Sequence, residues 1–344
     1  MKLTHKVAQL LGAAAFGMTI LAAPAAMADT TLAMSSWLPA RHPIVVNAFK
    51  PWAQQVEDVT EGRVKIRILA KPLGPPPAHF DMAADGVADI TYGLHSFTTD
   101  DRFVRSRIGQ FSFTGDDAAS GSTALWNVYG GMLDAQAEHE GVKLLGLFVH
   151  GPGIFHNNVR KIESDADFAG LKIRVPGGYI ADMISDLGAE TLFMSTGEIY
   201  EKLSRGVIDG VTITYEALTA YKLTEHLKYS MRAPGGFYNS TWFFVMNDDK
   251  WAEISAEDQA AIEAISGEAF AALVGNAWNA ADDAALIAIA DAGIQVYDTP
   301  ADVLEKIKTI AAGYESEWAD TIAADGFDGK AALAELRAQT GVEY

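Results

Sequence analysis

Cysteine is absent from this chain of 344 residues. Disulfides, thiol chemistry, cysteine-based zinc sites and iron–sulfur clusters are therefore excluded. A lipid anchor on a processed cysteine is excluded too. Positive charge is scarce: 26 Lys and Arg stand against 45 Asp and Glu, a formal net charge of −19. That balance argues against nucleic acid and anionic membrane surfaces as partners. It also requires that any anionic ligand be met by local positive charge. After Ala23 no apolar run is long enough to cross a bilayer. The histidines, among them His42, His95, His150 and His156, are scattered singly, and none has the i, i+4 spacing of a helical metal pair. No metal and no cofactor is expected. Enzyme signatures are missing as well. There is no Gly-x-Ser-x-Gly elbow, and Gly326-Phe327-Asp328-Gly329-Lys330 lacks P-loop spacing and the hydroxyl after its lysine.

What is present begins with a leader. Lys2 and Lys6 precede an apolar stretch from Val7 to Ala23, and Ala26-Met27-Ala28 fits a small-x-small processing site. Residues 1–28 are read as a cleaved export signal, and the periplasm as the destination. Without Lys2 and Lys6 the basic count falls from 26 to 24 against 45 acids, so the mature chain carries −21. A chain of this length is expected to divide into two domains.

Strands and helices then alternate. Thr31–Ser36, Val64–Leu69, Ala88–Tyr92 and Val142–His150 read as strands, with helices over Pro43–Thr60, near His79–Asp85, and over Ser120–Glu140. A second set follows: strands at Gly170–Val175, Glu190–Met194, Val211–Thr214 and Ser240–Met246, separated by short helices that glycines close. From Ser255 the chain turns helical, with one long helix expected to Asp291 and another after Thr299-Pro300. Asp85-Gly86-Val87-Ala88-Asp89 and Arg205-Gly206-Val207-Ile208-Asp209 each close a helix and open a strand, which suits two α/β lobes of related build. The expected division is residues 29–150 for lobe 1 with a return segment near 247–275, 151–240 for lobe 2, and 276–344 as helices bracing both. Small-molecule sites favour the cleft between such lobes.

One segment stands out. In Gly170-Leu171-Lys172-Ile173-Arg174-Val175, apolar and charged side chains alternate with period two, and Pro176-Gly177-Gly178 ends the strand. Arg174 thus sits at the carboxyl end of a strand, where open α/β sheets bind ligands. A fixed guanidinium there suits bidentate capture of a carboxylate, or a pairing with a surface acid.

From Thr31 to Ile265 the chain resembles the extracytoplasmic solute-binding proteins of tripartite ATP-independent periplasmic (TRAP) transporters. The match is carried by the Arg174 strand and by Met194-Ser195-Thr196-Gly197-Glu198-Ile199-Tyr200-Glu201-Lys202-Leu203, followed by Gly206-Val207-Ile208-Asp209-Gly210. Phe237-Tyr238-Asn239-Ser240, leading to Val245-Met246-Asn247, completes it. The resemblance implies a two-lobed receptor that closes on a solute and hands it to membrane permease subunits driven by an ion gradient. It implies Arg174 as carboxylate clamp and Tyr215 as a pocket aromatic. The loop Gly151–His156, which contains Phe155, lacks the second arginine of some members.

Other candidates lie near strand ends. Trp37, Tyr92, His95 and Trp242 either face a cleft or pack in the core or hinge, and Asn239 is either a polar ligand contact or a turn residue. If the rings line the site, the ligand is a small carboxylate with an aromatic or betaine- or sulfonium-like body. Glu198 is read as part of a helix-capping box. The rival functions are a receptor feeding a sensor kinase and a periplasmic enzyme. A monomer is expected.

Overall fold

The computed structural model describes residues 30–342 except Thr99. The leader expected at 1–28 lies outside the described residues. Two mixed sheets organise the chain. The first runs β2(Val64–Ile68)-β1(Thr30–Met34)-β3(Ile90–Leu94)-β10(Thr241–Asn247)-β4(Val142–Val149). The second runs β11(Gln295–Asp298)-β9(Tyr229–Arg232)-β5(Ile154–Asn157)-β8(Gly210–Ile213)-β6(Lys172–Val175)-β7(Glu190–Phe193). β1, β2 and β3 are parallel, and β10 returns antiparallel between β3 and β4. In the second sheet β6 is parallel to β7 and β8, while β5 opposes β8 and β9. This is a two-lobed α/β architecture, one sheet per lobe.

The return strand β10 shows why the first sheet holds. Its run Trp242-Phe243-Phe244-Val245-Met246 is buried throughout, as expected of a central strand covered on both faces. Trp242, Phe244 and Met246 join one core with Phe49, Trp52, Tyr92 and Phe270, whereas Phe243 and Val245 join another with Phe80 and Phe103. Period two therefore stitches two cores to one strand. Each buried ring of this kind is worth roughly 2–3 kcal/mol.

Two segments cross between the lobes side by side. Gly153 N–H donates to the Tyr238 carbonyl at 2.9 Å, and Phe237 N–H donates to the Gly153 carbonyl at 3.0 Å. Gly153 must be glycine here, because a Cβ would collide with the Tyr238 ring. Asn239 ties the same crossing: its Nδ2 donates to the His150 carbonyl at 3.1 Å and its Oδ1 accepts from Ser240 N–H at 2.8 Å.

Several local expectations are corrected. The helix expected over Ser120–Glu140 is interrupted. It runs Ala118–Leu125, widens into a π turn at Trp126–Gly130, and breaks at left-handed Asp134 before Ala135–Glu138. Gly130-Gly131 weakens it there. The helix expected from Ser255 to Asp291 is two helices, Ala256–Ala264 and Gly267–Asp291. Gly267 adopts φ +58°, and the Trp126 ring fills the space where a Cβ would stand. Short strands β5 and β9 were not anticipated. Nor was the helix Tyr215–Ala220, which begins where a strand was expected to end.

Candidate functional site

Arg174 lies next to the carboxyl end of β6, paired in register with Leu192 of β7 and Val211 of β8. Its strand neighbour on the same face, Lys172, is exposed, but Arg174 is only 1% exposed. Nε donates to the Met194 carbonyl at 2.9 Å and Nη1 to the Thr212 carbonyl at 3.2 Å. Nη2 is buried without a protein partner. No carboxylate among the described residues forms an ion pair with it. Burial therefore pulls this guanidinium down to about 10, partly offset by the fields of Tyr238, Tyr221 and Glu198.

The guanidinium faces a cavity of about 40 Å³ walled by both lobes. The first lobe contributes Trp37, Leu38, His42, Leu94 and Trp242, and the second contributes Arg174, Thr196, Ile213, Glu216 and Tyr221. His150 and Tyr238 come from the crossing segments, and Trp278 from the long helix Gly267–Asp291. The wall holds five large aromatic side chains, those of Trp37, Trp242, Trp278, Tyr221 and Tyr238. Trp37 stacks on Trp242 at 5.4 Å between centroids and 7° between planes, and Trp242 stacks on Phe148 at 5.5 Å. The indole N–H groups of Trp242 and Trp278 are buried without protein partners, as is the Tyr221 hydroxyl. His42 and His150 are both pulled down to about 4 by burial and are neutral at pH 7. Among the described residues, Arg174 is then the one permanent cation on this wall.

Of the residues singled out from sequence, Arg174, Trp37 and Trp242 come together around this cavity. The other five fall outside its wall. Tyr92 is fully buried one layer below, where it props Trp37: its carbonyl accepts the Trp37 indole N–H at 3.1 Å, and its hydroxyl accepts Leu38 N–H at 2.8 Å. His95 bonds His139 between Nε2 atoms at 3.0 Å and lines a different space with Ser96 and Arg107. Phe155 packs on Phe168 in the core, 5.1 Å between centroids. Asn239 spends its amide on the lobe crossing described above. Tyr215 opens a helix and turns its ring toward His156 at 6.0 Å. Successive helical residues are rotated by about 100°, so the next residue, Glu216, reaches the cavity instead.

Sequence reading missed Glu216, His42, Tyr221, Thr196 and Trp278 as wall residues. The one signal available was an acid directly after Tyr215, and the helix that aims it is only six residues long.

Two sheets joined by paired crossing segments, with a buried charged cavity between them, define a solute-binding receptor of the periplasmic type. The chain belongs to the bacterial extracellular solute-binding protein family 7, whose family model matches residues 34–320, and within it to the TRAP receptors. It is similar to a TRAP periplasmic solute-binding protein from Bordetella bronchiseptica solved with bound (R)- and (S)-mandelate. The two share 37% identity and a TM-score of 0.88, over 91% of this chain and 99% of the other. A TRAP solute-binding protein from Rhodoferax ferrireducens, in complex with copurified benzoate, shares 29% identity over 91% and 98%, with a TM-score of 0.83. A marine metagenome TRAP solute-binding protein specific for aromatic acid ligands, in complex with 3-hydroxybenzoate, shares 28% over 91% and 98%, also at 0.83. Family and neighbours are receptors and not enzymes, so the enzyme alternative falls. Membership places the chain outside the cytoplasm. No helix among the described residues is long and apolar enough to cross a membrane.

Proposed function

We propose that this chain captures a small aromatic carboxylate in the periplasm and delivers it to the permease subunits of a TRAP transporter. Arg174 acts as the carboxylate clamp. The observation that carries the reading is an arginine buried without a counter-charge, its Nη2 unpartnered, on a wall that also holds Trp37, Trp242, Trp278, Tyr221 and Tyr238. Burying a charge without compensation is costly. A ligand carboxylate supplies that compensation through charge-assisted hydrogen bonds. The buried N–H groups of Trp242 and Trp278 offer further donors. The mandelate, benzoate and 3-hydroxybenzoate held by similar receptors support an aromatic body for the ligand.

In this reading the ligand favours the closed form by touching both lobes, which pivot about the crossing segments. The lobes are residues 29–150 with the β10 return, and 151–240 with β11 added. Residues 1–28 serve as the export leader, and the mature chain starts at Asp29.

Titration calorimetry with benzoate, phenylacetate, glycine betaine and glucuronate tests the proposal. An aromatic acid should bind stoichiometrically, and Arg174→Lys should weaken it by about tenfold or more, since an ammonium cannot reproduce the guanidinium fork. Binding of glycine betaine or glucuronate alone would sink the aromatic assignment. Unchanged affinity in Arg174→Lys would sink the clamp.

A further inference from the structure

The cavity holds a second ionisable side chain opposite in type to the arginine. Glu216 is the second residue of the helix Tyr215–Ala220 and is 3% exposed. Its backbone N–H donates to Asp282 Oδ1 at 2.7 Å, which anchors the helix start to the long helix Gly267–Asp291. Its Oε1 lies 3.7 Å from His42 Nε2, across from the other lobe. His42 Nδ1 accepts the Ile44 N–H at 3.3 Å, so the neutral ring carries its proton on Nε2, facing Glu216. Oε2 is different. It is buried on the cavity wall, and no hydrogen bond of proper geometry reaches it. Thr214 and the Trp278 indole lie nearby and favour its charged form. Burial and the neighbouring Asp282 outweigh them and push the carboxyl up to about 8.

We propose that Glu216 is a specificity-determining residue that reads a hydroxyl on the ligand, so that this cavity selects hydroxyl-bearing aromatic carboxylates over their parent acids. This rests on the aromatic-carboxylate reading above. A hydroxyl is the group that suits Oε2 in either protonation state, because it both donates and accepts. An ammonium needs the carboxylate charged, which burial opposes. A parent acid closes the lobes over Oε2 and leaves it unpaired, and the loss of such a bond is the expensive side of the exchange. Sites built around a ligand hydroxyl discriminate strongly against analogues that lack it. The hydroxyl can stand beside the carboxylate, as in an alpha-hydroxy acid, or on the ring; the chemistry read by Glu216 is the same.

Calorimetry on the full chain tests this with two pairs, phenylacetate against mandelate and benzoate against meta-hydroxybenzoate. In at least one pair the hydroxylated acid should bind about tenfold or more tightly, and the pair that responds shows where the hydroxyl sits. Glu216→Leu should shrink that ratio to within about threefold, while Glu216→Gln, which keeps a donor and an acceptor, should preserve most of it. Circular dichroism and melting check that each variant folds; should Glu216→Leu fail, Glu216→Met takes its place. Equal affinity within both pairs overturns the assignment, as does a ratio that survives Glu216→Leu, or phenylglycine binding better than mandelate. If benzoate binds and depends on Arg174 but neither hydroxyl adds affinity, the Glu216 assignment alone fails. If none of the four acids binds, the aromatic-carboxylate reading fails with it.

Discussion

The two walls of the cavity are finished to different degrees. On the first-lobe side the rings are locked by packing on one another, with the Trp242 indole N–H left without a protein partner. Trp37 gives its indole N–H to the Tyr92 carbonyl and stacks on Trp242, which stacks in turn on Phe148. On the second-lobe side the polar groups are left open: Arg174 Nη2, Glu216 Oε2 and the Tyr221 hydroxyl have no protein partner. The ring wall is a piece of hydrophobic core that happens to border the cavity. The polar wall carries groups whose burial costs stability until something binds them. Mutations on the polar side should therefore cost binding with little stability, whereas mutations on the ring side should cost stability as well.

The sharpest break comes from Arg174→Met. Affinity for an aromatic acid should drop by about 100-fold or more, because charge-assisted bonds to the carboxylate are lost. The ligand-free melting temperature should stay within a few degrees of the parent, since an uncompensated buried charge is removed along with its two carbonyl contacts. A large fall in melting temperature would show that the arginine serves the fold as much as the ligand. Trp242→Ala should cost stability as well as affinity, because its ring is core while its free indole N–H borders the cavity. Truncating this buried ring is expected to cost roughly 3–5 kcal/mol in denaturant unfolding, and a stable Trp242→Ala protein would contradict the picture of a core-like wall.

The pH profile probes both walls together. His42, His79, His95, His139, His150 and His156 are all held below their ordinary value of 6.5 by burial. The unfolded chain binds more protons than the folded one below that value, so these groups lose stability as pH falls. Glu216 and Asp282 are pushed up by burial, to about 8 and about 7. Here the folded chain holds more protons, and stability falls as pH rises toward 8. Melting temperature should peak near pH 6.5, where the two trends cross, and Glu216→Gln should flatten the alkaline limb. A melting temperature that keeps rising above neutrality would refute the assignment. The smallest effect is expected from Tyr92→Phe. Leu38 N–H and the Ser36 hydroxyl lose their partner, a cost of about 1–2 kcal/mol by denaturant unfolding, with the Trp37 indole bond to the Tyr92 carbonyl intact.

The contrast between the walls also separates what could be read from sequence from what could not. Arg174 was legible because two local signals coincide: period two along Leu171–Val175, and a proline with two glycines that stop the strand. Its burial was not, because the groups that hold its guanidinium, the Met194 and Thr212 carbonyls, come from other parts of the chain. Trp37 was placed by its position after a strand, yet Tyr92 drew the same expectation and lies one layer deeper. Strand-end position identifies the neighbourhood and not the side that a ring faces. Glu216 escaped because the helix that directs it is short and lacks a side-chain cap. The break at Ser266-Gly267 was hidden for a similar reason: the Trp126 ring that dictates it lies on another helix. Long apolar strands such as β4 and β10 announced themselves, whereas the short strands β5 and β9 did not.

The tryptophan cluster has an optical consequence. Of the seven tryptophans in the chain, Trp37, Trp242 and Trp278 border the cavity, and Trp242 lies within 5.4 Å of each of the other two. A solute entering there replaces water against three coupled fluorophores at once. The receptor carries its own reporter, and occupancy can be followed by intrinsic emission without attaching a dye.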